Sequence, residues 1–326
     1  MSLDQFLEEW NNPSPYVHVQ TSGSTGAPKP MLVEKRRMLA SARITCDFLG
    51  LKPGDTALLC MSLDYIAGKM MVVRAIERHL NLISVEPSGH PLDKVDGVDF
   101  AAMVPMQVYN SLQVPAERER LQQIRHLIIG GGAIDDALAT ELQSFPNAIW
   151  STYGMTETLS HIALRRLSGP DASLWYTPFP SVSVSLSSDD CLVIDAPEVC
   201  SDRLVTNDIA ALSPDHRFRI LGRKDNIICS GGLKIQAEEL ECQLRPRVHV
   251  PFIITKRPDK KFGEVVVLLT EGSADEVRQI CERILPKFHQ PRVYLHVDHL
   301  PLTATGKPAR YEAEQFARKT LEARTP

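Results

Sequence analysis

Tyr16-Val17-His18-Val19-Gln20 runs into Thr21-Ser22-Gly23-Ser24-Thr25-Gly26-Ala27-Pro28-Lys29, and this junction organises the rest of the chain. The first five residues read as a strand and the next nine as a glycine-rich loop. From Glu34 to Leu49 the pattern turns helical and stops at Gly50. Two glycines let the loop bend sharply and bring backbone N–H groups close to a ligand. The hydroxyl side chains add donors, and Lys29 brings a positive charge to the end of the run. Such a loop suits a polyphosphate, although it lacks the Gly-Lys-Ser/Thr ending of the Walker pattern. A plain flexible loop has the same composition, so the neighbouring segments must decide.

Outward from this junction, short apolar runs alternate with helical patterns. Asp4 to Trp10 reads as a short amphipathic helix. Thr56–Cys60 and Leu82–Val85 read as strands around a helix from Ile66 to His79, and Phe100–Val104 and His126–Ile129 continue the series. Alternation at this spacing implies an α/β domain. From Ser181 to Ile220 the pattern becomes short β segments. After Gly222 a smaller unit follows, with strands Asn226–Cys229, Phe252–Thr255, Val265–Thr270 and Tyr294–Val297 and helices Ala237–Leu244 and Ala274–Ile284. The expected organisation is a large α/β domain with mixed sheets over 1–221, a connector at 222–225, and a small α+β domain over 226–326.

Bulk properties narrow the function. A chain of 326 residues with 43% hydrophobic content can bury a sizeable core, and a net charge of −4 speaks against a nucleic-acid partner. The seven cysteines are scattered with no Cys-x-x-Cys pair, which reads as reduced thiols rather than a disulfide framework or zinc site. No basic-then-apolar leader opens the chain. The most apolar stretch, Ala57–Ile76, is interrupted by Asp64, Lys69 and Arg74, so no membrane span is expected. These features together lead to the expectation of a cytoplasmic protein.

Five further segments carry chemistry. Gly130-Gly131-Gly132 follows an apolar strand, where backbone can meet a flat ligand or simply turn toward a helix. Tyr153-Gly154-Met155-Thr156-Glu157-Thr158 sets an aromatic face, hydroxyls and a carboxylate within six residues, suited to a base, a phosphate and Mg²⁺. Asp208, in Thr206-Asn207-Asp208, can accept both hydroxyls of a ribose or close an Asx turn. Leu221 to Lys234 mixes charges with a Gly231-Gly232 turn, as a hinge would. Leu300 to Lys307 is a turn that presents one lysine, which by itself is also what a solvated lysine looks like.

In this order the six segments resemble the adenylate-forming superfamily of acyl-CoA synthetases, luciferases and peptide-synthetase adenylation domains. The resemblance runs from Thr21 to Arg310. It implies an enzyme that activates a carboxylic acid with ATP and Mg²⁺, then passes the acyl group to a thiol such as that of CoA. By that resemblance Thr21, Ser22, Gly23, Ser24, Thr25, Gly26 and Lys29 hold the β- and γ-phosphates. Tyr153 stacks on adenine beside the Gly130–Gly132 backbone, Thr156 contacts phosphate, and Glu157 holds the metal. Asp208 and Arg223 hold the ribose. Lys307 bridges carboxylate and α-phosphate in the adenylation step. Asp225 is the hinge about which the small domain rotates, bringing the Ser230–Lys234 loop, with Gly231 and Gly232, to the pantetheine arm. A homodimer through the large domain is the family analogy for assembly.

Within the superfamily, Tyr153–Ile162 and Val104-Pro105-Met106-Gln107-Val108-Tyr109 look like the o-succinylbenzoate–CoA ligases of menaquinone synthesis. The chain departs from its relatives in three places. The glycine-rich loop begins at residue 21, where relatives carry a long preceding segment. Tyr65 stands where they have a histidine bordering the acyl pocket, and Asn207 replaces a glycine before the ribose aspartate. An acid with two carboxylates needs a partner for the one that is not activated, because burying it unpaired is costly. Lys69, in an otherwise apolar helix beside the expected pocket, is the expected cation, with Tyr65, Ser160 and His161 as neighbours. If Lys69 instead points to solvent, this role falls. Two other functions remain: an enzyme adenylating another aryl or fatty acid for CoA or a carrier-protein thiol, and a nucleotide-binding remnant without activity.

Overall fold

The structure is a computed structural model that describes residues 1–20, 30–132, 134, 136–303 and 308–322. The phosphate-loop residues expected at Thr21, Ser22, Gly23, Ser24, Thr25, Gly26 and Lys29, and the lysine expected at Lys307, lie outside these residues. Cα packing divides the chain into two compact units. The first holds residues 1–185, 193–204 and 212–219, and the second holds 186–192, 205–211 and everything from residue 220. The second unit thus begins two residues before Gly222 and takes in two short upstream stretches, for which a single sequence boundary made no provision.

The first unit opens with α1 (Leu3–Asn11), β1 (Tyr16–Gln20), β2 (Pro30–Glu34) and α2 (Lys35–Leu49). Ser2 starts α1 with a reciprocal cap: its hydroxyl takes the Gln5 N–H, and the Gln5 side chain takes the Ser2 N–H. β2 was not foreseen. It pairs antiparallel with β1, Tyr16 opposite Glu34, so the strand before the loop returns on itself.

Next come β3 (Thr56–Leu59), α3 (Ile66–Arg78), β4 (Asn81–Ser84), β5 (Phe100–Met103), α4 (Pro105–Gln113), α5 (Pro115–Gln123), β6 (His126–Ile129), α6 (Asp136–Gln143), β7 (Ala148–Gly154), β8 (His161–Arg166) and β9 (Thr177–Pro178). Their strands form one sheet in the order β4-β3-β5-β6-β7-β8-β9. The first five are mutually parallel, and β8 and β9 continue antiparallel. Strand periodicity divides the core between the two faces. Ala57, Leu59, Phe100 and Ala102 pack with Met38, Cys46, Met70 and Val73 of α2 and α3. Leu58, Ala101, Met103 and Ile129 pack with Val108, Leu121 and Leu142 of α4 to α6. Helices therefore cover both faces, and the structure is α/β as the alternation implies.

Strands β10 (Ser183–Leu186), β11 (Cys191–Asp195), β12 (Leu204–Leu212) and β13 (Phe218–Arg223) form a sheet in chain order. From residue 220 the second unit holds the end of β13 and then β14 (Ile227–Ser230), β15 (Leu233–Gln236), α7 (Ala237–Leu244), β16 (Phe252–Asp259), β17 (Gly263–Thr270), α8 (Ala274–Ile284), β18 (Val293–His296) and α9 (Arg310–Glu322). β17 is central, antiparallel to β16 and β14 and parallel to β18. Ile254, Val266 and Leu268 face Leu240, Leu244 and Val277 of α7 and α8, whereas Ile253, Val267 and Leu269 face Ala313 and Ala317 of α9. Among the described residues no helix is long and apolar enough to cross a membrane.

Candidate active site

Gly130–Gly132, Tyr153, Thr156 and Glu157 lie where β6 and β7 end. Open parallel sheets bind ligands at the carboxyl ends of their strands, because the loops diverge there and leave backbone groups unpaired. Gly130, Gly131 and Gly132 follow β6, and Tyr153 is the penultimate residue of β7. A Cβ at Gly130 would collide with the Thr152 hydroxyl, so any other residue there would force the Thr152 side chain to turn aside.

Beyond β7 the chain makes one 3-10 turn, Thr156–Thr158, and returns as β8. Thr158 organises this turn: its hydroxyl accepts the Met155 N–H at 3.1 Å and lies 2.7 Å from the Ser160 carbonyl, to which it donates. The register slips between Tyr153 and Gly154, which sets His161 opposite Gly154. A side chain at Gly154 would strike the Ser160 carbonyl. Leu159 absorbs the reversal with a φ of 65°, strained for a branched side chain. Thr156 is half-buried and Glu157 exposed on this turn. Among the described residues no three His, Cys, Asp or Glu side chains cluster to hold a metal. One exposed carboxylate suits Mg²⁺ that arrives with a polyphosphate and keeps most of its waters.

The Tyr153 ring is set by two aromatics that the sequence reading missed. Its centroid lies 5.1 Å from Phe218, edge on, and 5.8 Å from Tyr176, and those two rings stack on each other at 5.4 Å. The Tyr176 hydroxyl is tied to Ser151 at 2.9 Å.

Ser160 and His161 belong to a buried polar chain. Arg74 Nη2 donates to Ser160 Oγ at 2.6 Å, and Ser160 Oγ lies 3.2 Å from His161 Nδ1. His161 Nε2 lies 3.1 Å from Thr45 Oγ1, which donates to the Ser41 carbonyl at 3.1 Å. Each hydroxyl has one proton, so the chain runs one way: guanidinium to Ser160, Ser160 to His161, His161 Nε2–H to Thr45, Thr45 to backbone. Burial, with Arg74 nearby, holds the His161 pKa well below its ordinary 6.5, which keeps the imidazole neutral as this chain requires.

Arg74 is the unexpected member. It is 2% exposed, its Nε has no hydrogen-bond partner, and no carboxylate pairs with it among the described residues. Burial lowers its pKa to about 10, so it stays charged at neutral pH. Lys69 differs from expectation in the opposite sense. It does not point to solvent: it is 3% exposed, donates to the His18 carbonyl, and its ammonium lies 3.9 Å from Glu9 Oε2 and 5.7 Å from the Phe6 ring centroid. Its charge is used in fastening α1 and β1 to α3. Tyr65, partly exposed, precedes α3 as its N-cap residue.

In the second unit Arg223 stands between two carboxylates, 3.2 Å from Asp208 and 2.8 Å from Asp225. Asn207 also donates to Asp225 at 3.3 Å. Asp208 and Asp225 thus share one guanidinium. Ser230–Lys234 is a β-hairpin, with Ser230 opposite Leu233. Gly231 and Gly232, at φ 58° and 88°, make the mirror-image turn such a hairpin needs.

Residues 5–201 match the family described as AMP-binding enzyme. A 2-succinylbenzoate–CoA ligase of Lactococcus lactis is 25% identical over 323 residues, covering 91% of this chain and 70% of its own length. The crystal structure of an acyl-CoA synthetase (AMP-forming)/AMP-acid ligase II-like protein from Dyadobacter fermentans superposes with a TM-score of 0.65 at 32% identity, over 95% of this chain and 92% of that one. O-succinylbenzoate coenzyme A synthetase from Bacillus subtilis, in complex with ATP and magnesium ion, shares the fold at a TM-score of 0.75 and 22% identity, over 90% of this chain and 69% of that one.

Proposed function

The chain belongs to the AMP-binding enzyme family and is an AMP-forming acid–CoA ligase; on that premise we propose that its acid is o-succinylbenzoate and its product o-succinylbenzoyl-CoA. Arg74 carries this choice. A guanidinium is rarely buried without an anion, because desolvating the charge costs several kcal/mol that only a partner returns. Among the described residues the guanidinium has one neutral hydroxyl partner and an unused Nε. A second substrate carboxylate supplies the missing anion, and a monoacid does not. The similarity to 2-succinylbenzoate–CoA ligases points the same way.

The site residues then take these roles. The loop from Thr21 to Lys29 grips the β- and γ-phosphates of ATP. Tyr153, held edge-on by Phe218, offers its face to adenine beside Gly130–Gly132. Asp208 takes the ribose hydroxyls, and Arg223, beside it, fixes the carboxylate. Thr156 contacts phosphate, and Glu157 would hold Mg²⁺, which supplies charge neutralisation when bound. One substrate carboxylate oxygen attacks the α-phosphorus, the bond to pyrophosphate breaks, and an acyl-adenylate forms. Anions are forced together in this step, so the Lys307 ammonium acts mainly in the transition state. The thiol of CoA, guided along the Ser230–Lys234 hairpin, then attacks the acyl carbon and AMP leaves. Asp225 is the hinge between these two steps.

The test is thioester formation by purified protein with ATP, Mg²⁺ and CoA across o-succinylbenzoate, benzoate, coumarate and octanoate. A strong preference for o-succinylbenzoate is expected. Activity with another acid alone would overturn the substrate and keep the reaction. Adenylation without transfer to CoA would move the acceptor to a carrier-protein thiol.

A further inference from the structure

Three residues after Lys307, Arg310 opens α9 with a cation in the first helical turn. A positive charge there opposes the helix dipole, so α9 itself does not explain it. The guanidinium turns into the small unit instead. Nη1 donates to Glu241 Oε1 at 3.0 Å and to the Ile254 carbonyl at 2.9 Å, and Nη2 donates to Glu241 Oε2 at 2.7 Å. Glu241, 3% exposed on α7, is fixed in turn because its Oε1 accepts the Ile254 N–H at 2.9 Å. The hydrogen bonds close on themselves across α7, β16 and α9.

Stability alone does not call for this arrangement. A buried ion pair gains little over an apolar replacement, and fixed geometry is its better-attested contribution. The chain on the other side of residue 307 is held as well. Leu302 and Pro308 form an antiparallel bridge, the Ala309 N–H donates to the Pro301 carbonyl at 2.9 Å, and the Leu300 N–H donates to Glu271 at 2.8 Å. Both ends of the segment that carries Lys307 are therefore pinned to the small unit.

We infer that Arg310, clamped by Glu241, is a positioning residue for Lys307 in the adenylation step, which rests on the reading of Lys307 as the adenylating lysine. A cation that bridges carboxylate and α-phosphate acts only in the right place, and a displacement of about 1 Å can cost about a hundredfold. Lysine at position 310 would keep the charge and lose the two-pronged grip on Glu241.

The test uses the full chain and separates the half-reactions. ATP–pyrophosphate exchange with o-succinylbenzoate, or with benzoate where the wild-type chain prefers it, reads adenylation. Thioester formed from preformed acyl-adenylate and CoA reads transfer. Arg310→Lys is expected to lower kcat for exchange by about ten- to a hundredfold, with KM for ATP and the transfer rate within about twofold. In a Lys307→Ala background the same substitution is expected to add less than about twofold, because the group it positions is gone. Glu241→Gln, which keeps the side-chain size, reproduces the pattern and replaces Arg310→Lys should that chain not fold. Equal losses in both half-reactions, or a full further loss in the Lys307→Ala background, overturn the inference. Wild-type exchange by Lys307→Ala alone overturns the reading of Lys307, and the inference falls with it.

Discussion

Replacing Arg74 with methionine removes a buried charge that has no anion beside it among the described residues. Truncating one member of a buried charge pair costs about 2–5 kcal/mol, much of it the penalty on the charge left behind. Arg74 has Nε free beside its bond to Ser160, so a carboxylate there gains at least one charge-assisted hydrogen bond. A loss of about 3 kcal/mol is therefore expected for a diacid, about two powers of ten in kcat/KM. A carboxylate remote from the reacting centre is bound alike in ground and transition states, so the loss should fall on KM with little change in kcat. Benzoate, with no second carboxylate, should change by less than about threefold or improve, since the unpaired guanidinium is gone. For the same reason the folded state of Arg74→Met should be at least as stable as wild type. Steady-state thioester assays with both acids, together with urea unfolding, decide this. Equal losses for o-succinylbenzoate and benzoate, or a chain destabilised by several kcal/mol, would refute the reasoning and make Arg74 a structural residue.

Other expectations follow from the same geometry. Lys69→Met should lower stability by about 1–3 kcal/mol by removing the cation beside Glu9 and the bond to the His18 carbonyl, while the ratio of diacid to monoacid kcat/KM stays at its wild-type value; a selective loss for the diacid would return the second-carboxylate role to Lys69. His161 is neutral in the fold with a depressed pKa, so the unfolded chain binds the extra proton. Stability should be full above the ordinary pKa of 6.5 and fall as pH drops below it, by up to about 1.4 kcal/mol per unit. That acid slope should be reduced in His161→Gln, as read by urea unfolding across pH 5–8. Gly154→Ala should cost about 1–3 kcal/mol and impair adenylation, because the added methyl group drives apart the turn that carries Thr156 and Glu157; an unchanged thermal midpoint would contradict the tight β7–β8 reversal.

Much of the fold is legible because its strands announce themselves. Tyr16–Gln20, His126–Ile129, Ala237–Leu244 and Ala274–Ile284 stand in the structure at the bounds read from apolar pattern alone. The reversal from β7 to β8 was also within reach. Only six residues separate Gly154 from His161, too few for a parallel crossover, so an antiparallel return is forced. β2 escaped notice because Pro30 opens it and only four residues, Pro30 to Val33, separate the loop from the helix read from Glu34.

The roles of Lys69 and Arg74 could not be separated in sequence. Every residue from Gly68 to Ala75 is buried, so α3 has no polar face to show which charge looks where. Only the pairing of Lys69 with Glu9, a residue sixty positions away, distinguishes them. Tyr176 and Phe218 likewise meet Tyr153 through sheet pairing, which no local motif encodes.

The most direct measurement is a crystal structure of this chain with o-succinylbenzoyl-adenylate. The account predicts the free carboxylate within about 3 Å of the Arg74 guanidinium, the distance of a charge-assisted hydrogen bond. A free carboxylate held by another cation, or left facing solvent with Arg74 still unpaired, would contradict it.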